Sequence, residues 1–230
     1  MKRILALALC LVLMLGLAAC RSNSDKDNND SKIGTGNVVK DDNEGNKDAI
    51  DDEADKEIKF SRGKIKGNTY TSNFANIKFK KTSSWEFLSD KEILEATNLG
   101  ADLLGIDFEY TEELLEKTGT IIDVIARAEN GNNVTITCIN TETTGLSKYN
   151  ARTYLKFLSN SMESMGYEVG TIEAVTFAGE NYKRILCKNS LSGIDYKQVV
   201  YVRKIEKYMF CVVIAIVDET DISEIESMFS

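Results

Sequence analysis

Ten residues, Tyr208-Met-Phe-Cys-Val-Val-Ile-Ala-Ile-Val217, form an uncharged stretch that is apolar at both the odd and the even positions of a β-strand. A strand with one face in water alternates apolar and polar residues, so this stretch predicts a central strand covered on both faces. We therefore expect helices on both sides of the sheet to which it belongs.

Further strand-like segments precede this stretch. They are residues 70–85, 121–128, 133–140, 170–177, 182–188 and 195–203. Asn130-Gly131 separates the second and third of them, and Asn-Gly between two such runs is the strongest short-range signal for a β-hairpin. The sequence therefore predicts a β-hairpin over 121–140.

Four helices are predicted from spacing and capping residues. The clearest covers 147–165, where apolar side chains recur at helical spacing and Gly166 follows. Ser89-Asp90-Lys91-Glu92 has the form of a capping box, which predicts a helix that begins at Ser89. Thr111 before two glutamates predicts a short second helix. Thr220 or Asp221 is expected to cap a last helix.

The amino-terminal segment has the pattern of an export signal. Lys2 and Arg3 precede a run of 16 apolar residues, which is shorter than the roughly 20 that span a bilayer as a helix. The run ends in Leu17-Ala18-Ala19-Cys20, the pattern that a lipoprotein-processing peptidase requires. We predict a signal peptide over 1–19 and a diacylglyceryl group, carrying fatty acids such as palmitate, on Cys20. The alternatives are an uncleaved anchor and an ordinary secretory signal.

The segment that follows is acidic and poor in large apolar residues. Between 21 and 57 there are 12 acidic and 6 basic residues. Such a segment cannot bury enough apolar surface to offset its ordering entropy, so 20–57 is predicted to be a lipidated, disordered acidic tether. The acidic clusters at 41–42 and 51–53 lack the fixed spacing of a calcium loop. Residues 58–230 are predicted to form a single globular domain.

Composition excludes several classes of function. The chain has no His and a net charge of −8, which becomes −10 once Lys2 and Arg3 are removed. This acidity argues against nucleic acid as a partner and against charge-driven adhesion to anionic lipid, so the lipid on Cys20 is expected to provide the membrane attachment. Absence of His removes the commonest general base and metal ligand.

Three groups of side chains are candidates for sites. Cys138, Cys187 and Cys211 lie in strand-like runs, either as small buried hydrophobes or as one disulfide and a free thiol. Lys78, Lys80 and Lys81 beside Phe79 are interpreted as the wet side of an outer strand, with a basic-aromatic patch as the alternative. The third group consists of five acidic residues, Asp107, Glu109, Glu112, Glu113 and Glu116. It is interpreted as a solvated helix face, and a divalent-metal site is the alternative. We predict no catalytic residue, no cofactor and no metal site.

The run from Tyr70 to Trp85 resembles the opening of the PsbP-like family. The matching positions are Tyr70, Phe74, Ile77, Phe79, Trp85 and Ser89 to Glu92, and later Gly166-Tyr167, residues 199–203 and the apolar strand from Tyr208. Departures occur at Ser72, Asn76, Thr82 and Ser84. The resemblance implies an α+β fold, an α/β/α sandwich around a central, mainly antiparallel sheet, in proteins that mostly bind or assist partners.

Together these patterns predict a lipid-anchored protein on the extracytoplasmic face of the cell membrane. Its domain is expected to be non-catalytic and to bind or assemble with a protein or another component of the cell envelope. The alternative is a receptor for a small molecule or ion, with a pocket between the sheet and a helix layer.

Overall fold

The computed structural model describes residues 60–103, 119–191 and 194–230, with the side chains of 99–103, 191 and 194 excepted. The predicted signal peptide, Cys20 and the acidic tether lie outside the described residues. The predicted helix at Thr111 also lies outside them.

The described residues form antiparallel strands and three helices. The strands are β1 Lys64–Lys66, β2 Thr69–Ser72, β3 Ile77–Lys80, β4 Trp85–Phe87, β5 Thr120–Ala128, β6 Asn133–Asn140, β7 Glu168–Val169, β8 Glu173–Phe177, β9 Glu180–Leu191, β10 Ile194–Ile205 and β11 Tyr208–Ile216. The helices are α1 Asp90–Leu103, α2 Ala151–Ser164 and α3 Ile222–Glu226. An α+β fold with a mainly antiparallel sheet is thereby confirmed.

Two sheets are present in the described residues. The larger has eight strands in the order β4-β5-β6-β11-β10-β9-β7, with β8 also paired to β9. The smaller has the order β1-β2-β3. Strand β11 lies in the middle of the larger sheet, and its residues from Met209 to Ile216 are all buried. The prediction of a central strand covered on both faces is confirmed.

One face of the larger sheet is covered by α1 and α2. Helix α2 buries Tyr154, Leu155, Leu158 and Met162 against side chains of β9, β10 and β11. Helix α1 packs Ile93 and Ala96 on Ile122 and Ile125 of β5. Across a register shift in β5, Ile122 and Ile125 are opposite Thr137 and Thr135 of β6. These threonines share a face of β6 with Ile139, which packs in the α2 cluster, so both helices lie on the same side of the sheet.

The opposite face is covered by α3 together with the smaller sheet. Tyr70, Ile77 and Phe79 of the smaller sheet share one buried cluster with Ile225 and Phe229. Helices therefore occur on both faces, as the sandwich requires. The short α3 covers this second face only with the help of the smaller sheet. Strands β2 and β3 overlap the single strand predicted over 70–85, and β1 lies outside every predicted strand.

Local signals in the sequence match the observed turns and caps. The backbone N–H of Ser89 donates to Oε2 of Glu92 at 2.8 Å, so the predicted capping box is confirmed. This backbone hydrogen bond lowers the pKa of Glu92, and the hydrogen bond from the Ser89 hydroxyl lowers it further. Strands β5 and β6 form the predicted hairpin, and Gly131 adopts a φ of 99° in its turn.

Helix α2 begins later than its apolar spacing suggested. It starts at Ala151 because Asn150 caps it: the Asn150 side chain accepts from the Thr153 N–H at 2.9 Å. The Thr153 hydroxyl in turn accepts from the Asn150 N–H at 2.8 Å. Reciprocal capping satisfies two backbone donors that the first turn would otherwise leave unpaired.

Replacing Asn150 with Ala is expected to lower the free energy of unfolding by about 1 kcal/mol, because the cap is lost. Asn160 supplies a matched control, since it lies exposed within the same helix. Asn160→Ala is expected to raise the free energy of unfolding by about 0.5 kcal/mol, because Ala has the higher helix propensity. Urea denaturation measures both, and a change of the same sign in the two variants would contradict the capping role.

Candidate functional site

The outer face of the smaller sheet is basic because its register aligns lysines of β1 with lysines of β3. The two rows that result are Lys64-Thr71-Lys78 and Lys66-Thr69-Lys80. All four lysines are exposed. By ordinary strand spacing their Cα atoms mark a rectangle of roughly 7 by 10 Å. We call Lys64, Lys66, Lys78 and Lys80 the basic face.

Acidic neighbours do not neutralise the basic face. Within the described residues, none of its four lysines forms an ion pair, whereas four arginines do, among them Arg203 with Glu180. The other three pairs are Arg62 with Asp90, Arg127 with Glu86 and Arg184 with Glu173. Charges separated by about a Debye length, roughly 8 Å at physiological ionic strength, reinforce one another. The face therefore presents a local positive potential on an acidic protein.

The alternation along β3 creates this surface. Ile77 and Phe79 are buried while Lys78 and Lys80 are exposed, which confirms the predicted wet side. The outer edge of β3 is not free, however. The Lys78 N–H donates to the carbonyl of Ser230 at 2.7 Å, so residues 228–230 extend the smaller sheet beyond β3.

The basic face differs in one residue from the predicted group of Lys78, Lys80 and Lys81, and it includes two further lysines. Lys81 does not join the basic face: its Nζ donates to the carbonyl of Trp85 at 2.5 Å and lies 5.6 Å from the ring centre of Phe87. Lys64 and Lys66 join instead; they were not predicted, because β1 has only three residues and gives a weak strand pattern. The signal available was their alternation before Gly67, whose φ of 59° permits the turn into β2.

A buried carboxylate holds the beginning of β1 against the larger sheet. Asp123 lies at a register shift in β5, and its side chain is 0% exposed. Its oxygens accept hydrogen bonds from the Tyr70 hydroxyl at 2.5 Å and from the Gly63 N–H at 3.0 and 3.1 Å. Nε of Arg62 lies 3.6 Å from Oδ1. Burial, reinforced by the Asp123 carboxylate, raises the pKa of Tyr70 well above its usual value.

Two further contacts fix the chain just before the basic face. A Cβ at position 63 would lie 2.3 Å from the Tyr70 ring, so only glycine allows this approach. The ring of Phe60 packs 5.2 Å from that of Phe74 and 5.6 Å from that of Tyr208, measured between centroids. The chain that leads into β1 is therefore fixed beside the β2–β3 turn.

The three cysteines of the domain are free and buried, on β6, β9 and β11. This confirms their interpretation as small hydrophobic residues, and no disulfide joins them. Burial raises the pKa of Cys187 and of Cys211 to about 12. Their thiolate forms are therefore scarce at neutral pH, and they lack the reactivity of catalytic cysteines.

The predicted acid group from Asp107 to Glu116 lies outside the described residues. In the part of the chain that is described, no three His, Cys, Asp or Glu side chains are grouped so that they could hold a metal ion. None of the helices in that part has both the length and the apolar character needed to cross a bilayer.

No protein-family model matches the chain, and no curated protein is significantly similar to it. Solved structures are similar to it at low identity. A protein from Bacteroides thetaiotaomicron VPI-5482 has 12% identity and a TM-score of 0.41 over 72% of this chain. The chain spans only 48% of that protein.

Two smaller structures are also similar. One is the cyanobacterial PsbP (CyanoP) of Synechocystis sp. PCC 6803, with 10% identity and a TM-score of 0.43 over 76% of this chain and 95% of its own. The other is LpqN, which is involved in cell envelope biogenesis of Mycobacterium tuberculosis. It has 9% identity and a TM-score of 0.37 over 66% of this chain and 77% of its own.

Removing the Tyr70 hydroxyl tests the role of the Asp123 network. Tyr70→Phe is expected to lower the free energy of unfolding by about 1–3 kcal/mol, because a buried carboxylate loses a hydrogen-bond donor. Tyr208→Phe is the control: the Tyr208 ring packs on Phe60 and Phe74, and its hydroxyl makes no hydrogen bond among the described residues. Equal urea midpoints for the two variants would show that the network does not hold β1.

Proposed function

We propose that this protein is a lipoprotein, anchored through Cys20 on the extracytoplasmic face of the cell membrane. Its domain is non-catalytic and binds an anionic component of the cell envelope through the basic face. Residues 20–57 act as the tether between the anchor and the domain. The observation that carries the binding function is the set of four exposed lysines on one face of the smaller sheet, none of which pairs with a carboxylate in the described part of the chain.

The anchor is supported by the sequence alone. Lys2 and Arg3, the apolar run and Leu17-Ala18-Ala19-Cys20 occur in the order that lipoprotein export requires. One acyl chain binds a membrane only marginally, at about 0.8 kcal/mol per buried methylene, so two chains on Cys20 are needed for stable attachment.

An anionic partner is compatible with an acidic protein because charges act locally. Carboxylates on other parts of the domain are screened over about 8 Å at physiological ionic strength, so the basic face attracts negative charge on its own side. Electrostatic complementarity of this kind sets partner choice and association rate. A flat strand face also suits a broad partner surface better than a small molecule.

The chemistry of the described residues supports a binding role over a catalytic one. The chain has no His, and the three thiols of the domain are buried. The most deeply buried acid, Asp123, is fully used in holding Tyr70, Gly63 and Arg62. The groups available on the surface of the smaller sheet are ammonium and hydroxyl groups, which bind anions by charge and hydrogen bonding.

Cys20→Ala is expected to release the protein from the membrane, because the acyl chains have no other attachment point. Cys10→Ala is the matched control, since Cys10 lies within the predicted signal peptide and is not the acylated residue. Metabolic fatty-acid labelling and membrane fractionation distinguish the two. Acylation and membrane retention that persist in Cys20→Ala would refute the lipoprotein assignment.

Charge removal tests the basic face. The four lysines of the basic face are replaced together with Gln in the chain from Arg21 onward. Each lysine near an anionic surface contributes about 1 kcal/mol, so salt-sensitive binding to isolated cell envelopes is expected to weaken at least tenfold. A control with the same change in net charge replaces four exposed lysines elsewhere: Lys148, Lys156, Lys188 and Lys197.

The comparison of these two variants is decisive because their net charges are equal. Equal binding by both would show that total charge, and not the basic face, governs association. Competition by the predicted acidic tether for the same face is tested separately. If the tether binds there, replacing its carboxylates between Asp41 and Glu57 with amides will strengthen envelope binding by the parent chain.

A further inference from the structure

The sequence just before the domain has a charge opposite to that of the basic face. Residues 51–57, Asp-Asp-Glu-Ala-Asp-Lys-Glu, contain five carboxylates and one lysine, which gives a net charge of −4. We call residues 51–57 the acidic segment; they lie outside the described residues. The four lysines of the basic face carry a charge of +4. The two groups are therefore equal and opposite in charge.

The described part of the chain begins at Phe60, three residues after the acidic segment. The Phe60 ring is fixed by its contacts with the rings of Phe74 and Tyr208. Phe74 lies in the turn between β2 and β3, and the Lys64-Thr71-Lys78 row is the row of the basic face nearer to that turn. The acidic segment therefore joins the domain beside one end of the basic face.

The chain is long enough for the acidic segment to reach all four lysines. The Cα atom of Lys64 is at most about 14 Å from that of Phe60, and the basic face itself measures roughly 7 by 10 Å. A flexible chain of the length from 51 to 60 has an r.m.s. span of about 17 Å, which matches these distances. A linker whose span matches the separation gives the two groups an effective concentration of about 1 mM.

Attachment to the same chain favours the acidic segment over a second copy of the protein. Single ion pairs between exposed side chains are weak, so the concentration of the anionic group decides how often the basic face is occupied. A second copy present at about 1 μM is roughly a thousandfold more dilute than a segment tethered at about 1 mM. Two whole chains, each with a net charge of −8, also repel one another.

We propose that the acidic segment docks on the basic face of its own domain and competes there with an anionic partner. An intrinsic dissociation constant of about 1 mM, equal to the effective concentration, would leave the face occupied about half of the time. The apparent dissociation constant of another anion is then about doubled. The effect on the partner rests on the proposed function, whereas the docking itself requires no partner.

Carbodiimide cross-linking tests the docking in the unsubstituted chain from Arg21 onward. The reagent joins a carboxylate to a lysine amine as an amide and takes up the water that is lost. Mass spectrometry is expected to find cross-links from the acidic segment to Lys78 and Lys80 at low salt. About 0.5 M NaCl is expected to reduce them, because it screens the charges. Lys156 is the control, since it is exposed on α2, which covers the opposite face of the larger sheet.

Two outcomes of the cross-linking would overturn the proposal. One is an equal yield at Lys156 and at the two lysines of β3, because it would show that the segment has no preference for the basic face. The other comes from a mixture of ¹⁵N-labelled and unlabelled chains. Cross-links that join labelled to unlabelled peptides would assign the face to a second copy of the protein.

Binding of tripolyphosphate, a small polyanion, measures the competition through the NMR signal of the Lys78 backbone N–H. Replacing the five carboxylates of the acidic segment with amides is expected to lower the apparent dissociation constant about twofold. A control with the same change in net charge replaces five exposed carboxylates of the domain: Glu129, Glu163, Glu168, Asp195 and Glu219. Equal dissociation constants for the two variants would contradict the competition.

The docking and the proposed function fail in different experiments. Cross-links to Lys78 and Lys80, together with envelope binding that is unchanged by Gln substitution of the four lysines, would support the docking and refute the envelope partner. Absence of these cross-links, together with weaker envelope binding by the lysine variant, would refute the docking and leave the envelope partner supported.

Discussion

Burial of both faces of the eight-stranded sheet is the constraint on which the rest of this structure depends. The side chains of β11 point alternately to two sides, and all of them from Met209 to Ile216 are removed from water. Each fully buried aliphatic side chain contributes about 1.5–3 kcal/mol, so leaving either face open would cost far more than a domain's net stability. Two covers are therefore required, one formed by α1 and α2 and one by the smaller sheet with α3.

The second cover determines where the domain is basic. The smaller sheet must turn Tyr70, Ile77 and Phe79 toward the core, and the pleat then turns their neighbours outward. Those neighbours are the threonines and lysines of the two rows. A chain that is acidic as a whole thus acquires a local positive surface as a consequence of covering its own core, and the net charge of −8 gives no indication of it.

Two polar groups in the buried layers illustrate opposite solutions to one problem. Asp123 is removed from water but receives hydrogen bonds from Tyr70 and Gly63, so its desolvation is offset. Gln198 is equally buried and receives none. The first arrangement positions β1 and is structural in character. The second leaves the hydrogen-bonding capacity of the Gln198 amide unused among the described residues.

The sequence by itself determined the features that depend on near neighbours. The capping box at Ser89, the Asn130-Gly131 hairpin, the apolar face of α2 and the central character of β11 are all local patterns, and the structure has each of them. Only the tertiary structure decided which distant residues meet. Lys64 and Lys78 share a row because two short hairpins set the register, and Asn133 and Gln198 flank Ala215 because β11 lies between β6 and β10. Strand order and register follow from the burial of whole faces, and residues far apart in the chain carry no local mark of that pairing.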